Sequence, residues 1–586
     1  MLEDLEKLDF DPEALRERYR QEREIRLGAA RYQAAPDNFV RDPYRDESFT
    51  RAPITRDLDV LVIGGGFGGL LLGAHLQKQG VGDFCIVDVA GDFGGAWYWN
   101  RYPGAACDIE AYIYMPLLEE AGEIPSQKFI GQPALFAHSQ AIGRRFGLYE
   151  KALFLTKVTE VRWTPQQHRW AVRTDRGDLL MARFVCMSIG PVHQPKLPRL
   201  PGLETFKGHT FHTARWDYGY TGGSFDEPLV NLADKRVGIV GSAATAVQCV
   251  APLAESAEHL YVFQRTPATV DARNNRDTDP QWAASLEPGW QARRALNFDL
   301  LTAGRPVAED EVQDGRTQMY LDLQKAADAG GREARELADL KNMERIRRRI
   351  GEIVRDPEVA EALKPYYHQT CKRPCFQDGY LETFNRSNVT LVHTKGRGVE
   401  QVTERGVVAG GREYELDCLI FATGFEMLSD FTDRAGFQTL GRDGLSIRDR
   451  WKDGVVTLHS FYTSGFPNCL FLHNAQGPAA LNATFVLEAQ SKHFARLIRH
   501  CLDQKVVEFE PSAEGEQGWL AEVLSFAEAK RAFAQVCTPG YLSSEGDDSL
   551  RAIQDNFYGG GSPAFFKHLS DWWDGGMPGL RMTRQA

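Results

Sequence analysis

The sequence has no run of about 18 apolar residues, which is the length that a helix needs to cross a bilayer. The N-terminal stretch MLEDLEKLDFDPEAL is acidic and has no apolar core, so we expect no secretory signal and a cytoplasmic location. Basic residues are outnumbered, with a formal net charge of −12. This balance argues against nucleic acid as a partner, and we expect no membrane partner either.

Cysteine is also sparse for a chain of 586 residues. The ten cysteines are spread thinly, as expected of reduced thiols in cytosolic proteins. Cys371 and Cys375 form the only close pair, and their spacing fits neither a CxxC motif nor a zinc site. We therefore favour two buried or idle thiols over a metal or redox role, and we expect no metal. The chain is too long for one hydrophobic core, which predicts two or more domains.

A glycine-rich turn follows a buried strand and opens a helix in DVLVIGGGFGGLLLGAHLQKQG. Gly64, Gly66 and Gly69 satisfy the pattern G-x-G-x-x-G, and Phe67 lies inside it. Such glycines permit a tight turn, and the helix N-terminus offers N–H donors and a positive dipole to a pyrophosphate. The next strand, FCIVD, ends in Asp88, where a carboxylate would hold ribose hydroxyls. This unit suits FAD or NAD and would repel a 2′-phosphate.

A second unit of the same type begins at KRVGIVGSAATAVQCVAPLAE. Ala243 and Ala246 stand where glycines are expected, so this turn is less permissive than the first. Its second strand, HLYVFQRTP, ends without an acid and instead carries Arg265 and Thr266. A guanidinium there suits the 2′-phosphate of NADPH, although a solvated arginine is the alternative. Further cofactor contacts are expected at Ser242, Thr245 and Gln248.

Two dinucleotide units, one acidic and one basic at the discriminating position, predict FAD together with NADPH. The fold class that follows is α/β, with two Rossmann-like dinucleotide-binding domains, a helical insertion and an N-terminal extension. In the extension, Asp11-Pro12-Glu13 predicts the start of a helix. The predicted domains are an N-terminal extension at 1–55, a first part of the FAD domain at 56–195, an NADPH domain at 196–394 with its helical insertion at 280–363, and a second part of the FAD domain with the C-terminal tail at 395–586.

The segment FKGHTFHTARWD lies just before the second unit. It matches the fingerprint of the type I Baeyer–Villiger monooxygenases, F-x-G-x-x-x-H-x-x-x-W-[P/D]. The matching residues are Phe206, Gly208, His212, Trp216 and Asp217. A second family motif occurs in GGAWYWNRYPGAACD and includes Gly95, Trp97 and Asp108. From Asp59 onward the chain resembles this family of flavin-dependent class B monooxygenases, and its extension and tail resemble the longer cyclopentadecanone and steroid monooxygenases.

The resemblance implies a reaction. NADPH reduces FAD, the reduced flavin and O2 form a C4a-peroxyflavin, and a ketone becomes an ester or lactone. The longer relatives imply that this ketone is bulky or cyclic. In the family the fingerprint links the two domains, so we expect His212 and Trp216 to organise the site without transferring protons. A simple packing role for Trp216 stays open.

The catalytic arginine of the family follows a lysine and precedes the pattern Y-x-x-x-F-N-x-x-N-V. Here that arginine is Arg373, after Lys372 and before DGYLETFNRSNV. A fixed guanidinium in a dry pocket stabilises the negative charge that develops during the reaction. The resemblance assigns Asp108 as the partner of Arg373, Lys372 as a second contact of the 2′-phosphate, and Tyr114 as a neighbour of FAD. It assigns the substrate-facing loop to Ala479, Ala480 and Leu481, where LHNAQGPAALN departs from the more usual G-P-x-S-P.

Three other functions compete with this interpretation. A flavin N- or S-hydroxylating monooxygenase uses the same two folds, but Trp216-Asp217 favours the Baeyer–Villiger class. A disulfide reductase needs a cysteine pair beside the flavin, and Cys85, Cys107 and Cys186 are too far apart in the sequence for its usual motif. A non-catalytic nucleotide sensor would have no need of an Asp108 and Arg373 pattern.

Overall fold

The computed structural model of the protein describes residues 8–28, 32–427 and 430–585. The predicted extension at 1–55, its acidic first residues and the end of the predicted tail therefore lie partly outside the described residues. The predicted helix start is confirmed, since helix Pro12–Arg26 begins after Asp11, whose carboxylate accepts hydrogen bonds from the backbone N–H groups of Glu13 and Ala14. Among the described residues, no helix has both the length and the apolar character needed to cross a membrane.

The first sheet has eight strands and is centred on Thr55–Ile63. This strand pairs in parallel with Phe84–Val87 on one side and Leu179–Met187 on the other. Its apolar end, from Val60 to Ile63, is buried on both faces, as expected of a central parallel strand. The other strands of this sheet are Ala152–Leu153, Val158–Thr164, Arg169–Thr174, Gln438–Leu440 and Cys469–Phe471.

The second sheet has five parallel strands. Their order across the sheet is Val389–His393, His259–Gln264, Arg236–Val240, Cys418–Phe421 and His209–His212. The sequence predicts the second part of the first domain over 395–586, but Cys418–Phe421 lies inside this second sheet. Its four buried apolar residues fit either sheet, and the pairing that decides between them is non-local.

Four helices occupy the region of the predicted insertion, at Pro280–Ala284, Trp290–Thr302, Gly315–Ile353 and Pro357–Leu363. The longest of them is broken at Gly330 and Gly331, whose dihedral angles are not helical. Met343, Ile346 and Ile350, spaced three and four residues apart, pack into the apolar core of the second sheet. The insertion is thus anchored on the nucleotide-binding unit.

The remaining helices and small sheets connect these layers. The helices are Asp37–Val40, Phe67–Lys78, Ala96–Trp99, Ala111–Tyr114, Leu118–Ala121, Gln132–Arg145, Tyr218–Thr221, Ala244–Ser256, Tyr380–Thr383, Phe431–Ala435, Ile447–Arg450, Ala483–Asp503, Ala513–Leu524, Ala527–Val536, Leu550–Gln554 and Gly561–Asp574. The small sheets pair Tyr32–Ala34 with Lys196–Pro198, Val270–Asp271 with Cys375–Phe376, Val506–Pro511 with Leu580–Arg584, and Gly406–Ala409 with both Gln401–Val402 and Arg412–Glu415.

The prediction that every cysteine is reduced is wrong for one pair. Cys371 and Cys537 form a disulfide, and their Cα atoms are 5.1 Å apart. Cys375, the neighbour of Cys371 in the sequence, is a buried free thiol. The two bonded residues are 166 positions apart in the chain, and the C-terminal segment folds back to bring them together. Sequence spacing carries no signal for such a long-range contact.

Candidate active site

A cavity of about 1580 Å³ lies where strands of both sheets end. Its volume exceeds the roughly 300–1,000 Å³ of a pocket for one small ligand. The cavity wall brings together most of the predicted site residues, namely Gly64, Gly66, Phe67, Asp88, Gly95, Trp97, Asp108, Tyr114, Thr245, Gln248, Lys372, Arg373, Ala479, Ala480 and Leu481. The predicted residues that do not line it are Gly69, Ser242, Arg265, Thr266, Phe206, Gly208, His212, Trp216 and Asp217.

The first glycine-rich turn has the close packing that excludes any side chain. Gly64 has φ +112°, and a Cβ there would lie 2.1 Å from the carbonyl oxygen of Ser188. A Cβ on Gly69 would lie 1.9 Å from the carbonyl oxygen of Gly64. Gly66 caps helix Phe67–Lys78 without a side-chain hydrogen bond, which leaves the first N–H groups of the helix open at the cavity. This end of the helix fits a pyrophosphate.

Asp88 lies at the cavity edge of the second strand. Its Oδ1 accepts a hydrogen bond from the backbone N–H of Ala90 at 2.8 Å, and its Oδ2 accepts one from Gly65. Burial raises the pKa of Asp88, and no lysine or arginine of the described ranges forms an ion pair with it. An acceptor without a cation fits the hydroxyl groups of a ribose.

Aromatic side chains line the wall beyond the turn. Trp97 donates a hydrogen bond from Nε1 to the hydroxyl of Tyr114 at 3.0 Å. The ring of Phe67 packs edge-on against Tyr114, with centroids 6.1 Å apart. Gly95 allows its loop to pack on the turn, because a Cβ there would lie 2.6 Å from Cα of Gly66. This part of the wall suits a flat, largely apolar ring system.

Asp108, which is nearly buried, and Arg373, which is partly exposed to the cavity, form an ion pair in the same wall. Arg373 donates from Nε to Oδ2 of Asp108 at 3.3 Å and from Nη2 to Oδ1. The charge of Asp108 raises the pKa of Arg373 above its already high usual value, so this group stays a cation. Burial alone would raise the pKa of Asp108, but the charges of Arg373 and Arg316 outweigh it and hold the pKa well below its usual range.

Arg316 is a contact that sequence reasoning missed. Its Nη2 donates to Oδ2 of Asp108 at 2.8 Å, and its side chain is 1% exposed. Arg316 lies in the first turn of helix Gly315–Ile353, where a cation opposes the helix dipole. That unfavourable placement is the one signal in the sequence that could have marked it. One turn later, Tyr320 of the same helix lines the cavity.

The second nucleotide unit joins the first through Gln248. Its Oε1 accepts from the hydroxyl of Tyr102 at 2.8 Å, and its Nε2 donates to the carbonyl of Ala106 at 2.8 Å. Ala243 caps helix Ala244–Ser256 with φ −90° and no side-chain hydrogen bond. An alanine adopts this conformation without strain, so these helical N–H groups are as open as those of the first unit.

Two cations of the second unit have few partners. Lys372 donates from Nζ to the carbonyl of Pro539 at 2.8 Å. Burial, followed by the charge of Arg265, lowers the pKa of Lys372 to about 8. In the described part of the chain, no hydrogen bond or ion pair holds the guanidinium of Arg265. Beside them, the hydroxyl of Ser242 donates to the carbonyl of Thr266 at 2.6 Å. This group of donors fits a phosphate.

The fingerprint side chains lie behind the cavity wall. Trp216 is fully buried, and its Nε1 donates to the hydroxyl of Thr221 at 3.2 Å. His212 is fully buried at the end of strand His209–His212, and burial with the nearby charge of Arg215 lowers its pKa to about 3. A neutral, enclosed imidazole and a core tryptophan offer no proton to the cavity, and the organising role of both residues stays a prediction.

The other fingerprint residues hold this segment together. Asp217 caps helix Tyr218–Thr221 and accepts from Nε2 of His209 at 2.9 Å. Gly208 is enclosed, since a Cβ there would lie 2.4 Å from the ring of Phe206. Arg215, which the motif leaves unspecified, does line the cavity, with its guanidinium 3.8 Å from the ring centroid of Trp99.

The predicted substrate loop is fixed at both ends. The carbonyl of Gly477 accepts from the backbone N–H of Tyr558 at 2.7 Å, and Asn482 donates from Nδ2 to the carbonyl of Ile113 at 2.9 Å.

Asp299 of the helical insertion contributes a carboxyl group to the same cavity wall. It accepts from the hydroxyl of Ser562 at 2.5 Å, and burial raises its pKa to about 6. No motif marks Asp299 or Ser562 in the sequence.

Comparison with known proteins places this site in a family. Residues 62–123 match the model of the NAD(P)-binding Rossmann-like domain. The chain is 50% identical to neopentalenolactone D synthase of Streptomyces avermitilis over 96% of this chain and 97% of that protein. It is 45% identical to Baeyer–Villiger monooxygenase 4 of a Dietzia species, over 97% of this chain and 95% of that protein.

A solved structure agrees with these relatives. The polycyclic ketone monooxygenase of the fungus Thermothelomyces thermophila superimposes with a TM-score of 0.90, at 36% identity, over 98% of this chain and 99% of that chain. The predicted α/β fold with two Rossmann-like domains is confirmed. Full-length likeness in both sequence and fold, together with the assembled motif residues, shows that this chain belongs to the Baeyer–Villiger monooxygenases.

Proposed function

We propose that this enzyme converts a bulky, cyclic ketone to a lactone, with Arg373 as the cation at the reacting carbonyl and Asp108 as its positioning partner. The enzyme is an FAD-containing, NADPH-dependent monooxygenase. In the overall reaction, the ketone, O2, NADPH and a proton give the lactone, NADP⁺ and water. The observation that carries the residue assignment is the Asp108–Arg373 ion pair in a wall shared with both nucleotide turns and the 479–481 loop.

The residues present fit both cofactors. The open helix end at Gly66 would hold the pyrophosphate of FAD, and Asp88, an acceptor without a cation partner, would hold its ribose. Trp97 and Tyr114 would lie along its ring system. On the second unit, Thr245 and Gln248 lie in the cavity wall. Arg265, Thr266 and Lys372 would hold the 2′-phosphate of NADPH, with Ser242 fixing the backbone at Thr266. When bound, FAD supplies the hydride acceptor and the place where O2 is activated.

Arg373 acts through charge and not through proton transfer. Asp108 raises its pKa, so the guanidinium gives up no proton in the pH range of an enzyme. A fixed cation stabilises negative charge on the carbonyl oxygen of the ketone, and such a contact is worth roughly 10²–10³ in rate. Because two arginines keep Asp108 ionised, this carboxylate holds its partner over the whole working pH range.

Both the cavity and the relatives support a large substrate. The cavity of about 1580 Å³ reaches from both nucleotide turns to the 479–481 loop, which supports a site that holds a ketone beside the cofactors. One relative is named for a lactone that it makes and another for polycyclic ketones. The exposed Ala479 and the half-buried Leu481 give the loop a small apolar surface, which favours a bulky hydrocarbon skeleton.

The test uses the yellow holoenzyme and a panel of ketones. NADPH consumption, hydrogen peroxide release and product mass are measured for a short acyclic ketone, cyclohexanone, a bicyclic ketone and a steroid ketone. We expect products heavier by one oxygen, with kcat/KM highest for the polycyclic members. Preference for the acyclic ketone would contradict the proposed substrate class, and N- or S-oxidation without any ester would contradict the reaction.

A further inference from the structure

The N-terminal helix Pro12–Arg26 packs on the nucleotide-binding unit and its insertion. Tyr19, which is 4% exposed, accepts a hydrogen bond from Nη1 of Arg347 at 2.9 Å. Arg16 pairs with Glu336 of the insertion at 2.9 Å. In the last turn, Arg23 donates to two carbonyls of the C-terminal segment. The end of this helix therefore has a fixed position.

Its last residue reaches the strand end that selects the nucleotide. Arg26 is 5% exposed and donates from Nε to the hydroxyl of Thr266 at 2.8 Å. Its Nη2 donates to the carbonyl of Arg265 at 3.3 Å. Arg265 and Thr266 directly follow strand His259–Gln264. In this fold, that strand end contacts the 2′ position of the adenosine ribose, which carries a phosphate in NADPH.

The local charges are unbalanced in favour of cations. Burial is the largest cause of the lowered pKa of Lys372, and the charges of Arg265 and Arg26 lower it further, against an opposing effect of Glu545. Within the described ranges Arg26 has one acidic partner, since its Nη1 donates to Oε2 of Glu22 at 2.5 Å. Arg26, Arg265 and Lys372 thus converge on one small region, and a partly buried group of like charges is stabilised by a bound anion.

We propose that Arg26 is a third cation of the subsite for the 2′-phosphate of NADPH. Nη2 of Arg26 donates one hydrogen bond to Arg265 and keeps a second N–H for a phosphate oxygen. Thr266 Oγ1 accepts from Nε of Arg26, so its hydroxyl proton stays available for a phosphate oxygen. The inference rests on the assignment of Arg265 and Lys372 in the proposed function. It gives the N-terminal extension a role in cofactor selection.

The experiment is calorimetric titration of the FAD-loaded enzyme with adenosine 2′,5′-bisphosphate and, separately, with 5′-AMP. The variant Arg26→Gln should weaken the bisphosphate about tenfold to a hundredfold, the cost of one charge-assisted hydrogen bond, and leave 5′-AMP unchanged. Arg23→Gln, in the same helix turn, serves as the matched control, because the Arg23 side chain donates its hydrogen bonds within the described residues to Ala534 and Cys537 of the C-terminal segment. It should leave both affinities unchanged.

Two more variants separate charge from fold. Arg26→Lys keeps the charge and should fall between wild type and Arg26→Gln. Glu22→Gln removes the acid that pairs with Arg26 and should tighten the bisphosphate several-fold, a gain that damage to the helix cannot imitate. Equal weakening of bisphosphate and 5′-AMP in Arg26→Gln, or no effect in any of these variants, would overturn the inference. If Arg265→Ala also left the bisphosphate affinity unchanged, the assignment of the whole subsite would fail with it.

Discussion

Arg316 and Asp108 are joined by a hydrogen bond of 2.8 Å between Nη2 and Oδ2, although they lie 208 positions apart in the sequence. Asp108 therefore forms ion pairs with two arginines at once. Arg316 of the insertion is almost fully buried, and Arg373 in the cavity wall is 37% exposed. A carboxylate held from two sides cannot turn away from the cavity. Arg373 consequently has a fixed partner and a fixed direction before any substrate arrives, which is what electrostatic catalysis requires.

Replacing Arg373 should separate the two halves of the catalytic cycle. Hydride transfer from NADPH needs little stabilisation of negative charge, whereas oxidation of the ketone needs it at the carbonyl oxygen. In Arg373→Ala we expect flavin reduction at a measurable rate in anaerobic stopped-flow traces, and a fall in lactone formation of at least 10²–10³, roughly the worth of one such contact. Arg373→Lys keeps the positive charge but not the planar, forked arrangement of guanidinium N–H donors, so it should recover part of the activity. Lactone formation at a near wild-type rate in Arg373→Ala would remove Arg373 from the catalytic role.

Replacing Arg316 should act through Asp108 and not through direct contact with substrate. Arg316→Met keeps most of the side-chain volume and removes one charge-assisted hydrogen bond, so we expect about a tenfold loss in kcat/KM for ketones. Flavin reduction should be unchanged.

The pH profile distinguishes positioning from damage to the fold. Asp108 has a lowered pKa in the folded enzyme, so its ionised form is lost only as pH falls through that low value. With one guanidinium gone the pKa rises toward normal, and the acid limb of kcat/KM should move to higher pH in Arg316→Met. A uniform loss of activity without this movement would indicate a structural role alone.

Lys372 gives the 2′-phosphate subsite a pH dependence of its own. Its pKa is lowered to about 8 by burial, with the charges of Arg265 and Arg26 also lowering it and Glu545 opposing them. Below that pH the ammonium is present, and it is lost as pH rises through it. The affinity for adenosine 2′,5′-bisphosphate should therefore fall between pH 7 and about 9, while that for 5′-AMP stays flat. In Lys372→Met the slope should vanish, and a slope that survives this change would have to come from another group.

The sequence predicts the nucleotide units because their chemistry is local. Gly64, Gly66 and Asp88 are a few residues from the strand and helix that they serve, so pattern and geometry coincide. Asp108 and Arg373 are 265 positions apart in the sequence, and only the family motifs predict that they pair. Neither motif nor spacing points to Asp299 with Ser562, or to the disulfide between Cys371 and Cys537. Such contacts depend on how distant segments pack, and no local pattern encodes that packing.

The same limit explains the strand Cys418–Phe421. Four buried apolar residues predict a central strand correctly, but they do not say which sheet contains it. Parallel pairing with Val237–Val240 decides the matter, and that pairing is set by the whole domain. In the sequence this strand follows the predicted domain boundary at 394, but in the structure it lies in the second sheet.

The two glycine-rich turns should respond oppositely to matched substitutions. A methyl group on Gly69 would lie 1.9 Å from the carbonyl oxygen of Gly64, so Gly69→Ala should force the turn apart and lose most of the bound FAD. Ala246 is the matching position of the second turn and is fully buried without strain. Ala246→Gly and Ala243→Gly should keep full NADPH-dependent flavin reduction. The flavin absorbance per protein and the reduction rate measure both effects, and loss of reduction in Ala243→Gly would show that this alanine is needed.

Leu481 should set which ketone is used without affecting how the cofactors react. It lies in the cavity wall, half-buried, and packs against the aromatic and aliphatic cluster that includes Tyr112 and Trp290. Leu481→Phe adds a ring to the space that the ketone skeleton would occupy, so kcat/KM should fall about tenfold or more for a steroid ketone and little for cyclohexanone. Leu445→Phe, at an exposed leucine outside the wall, is the matched control and should change neither. The loop carries no group that the proposed function assigns to hydride transfer, so we expect flavin reduction by NADPH to stay at the wild-type rate. If the ratio of the two kcat/KM values does not change, the loop does not face the substrate.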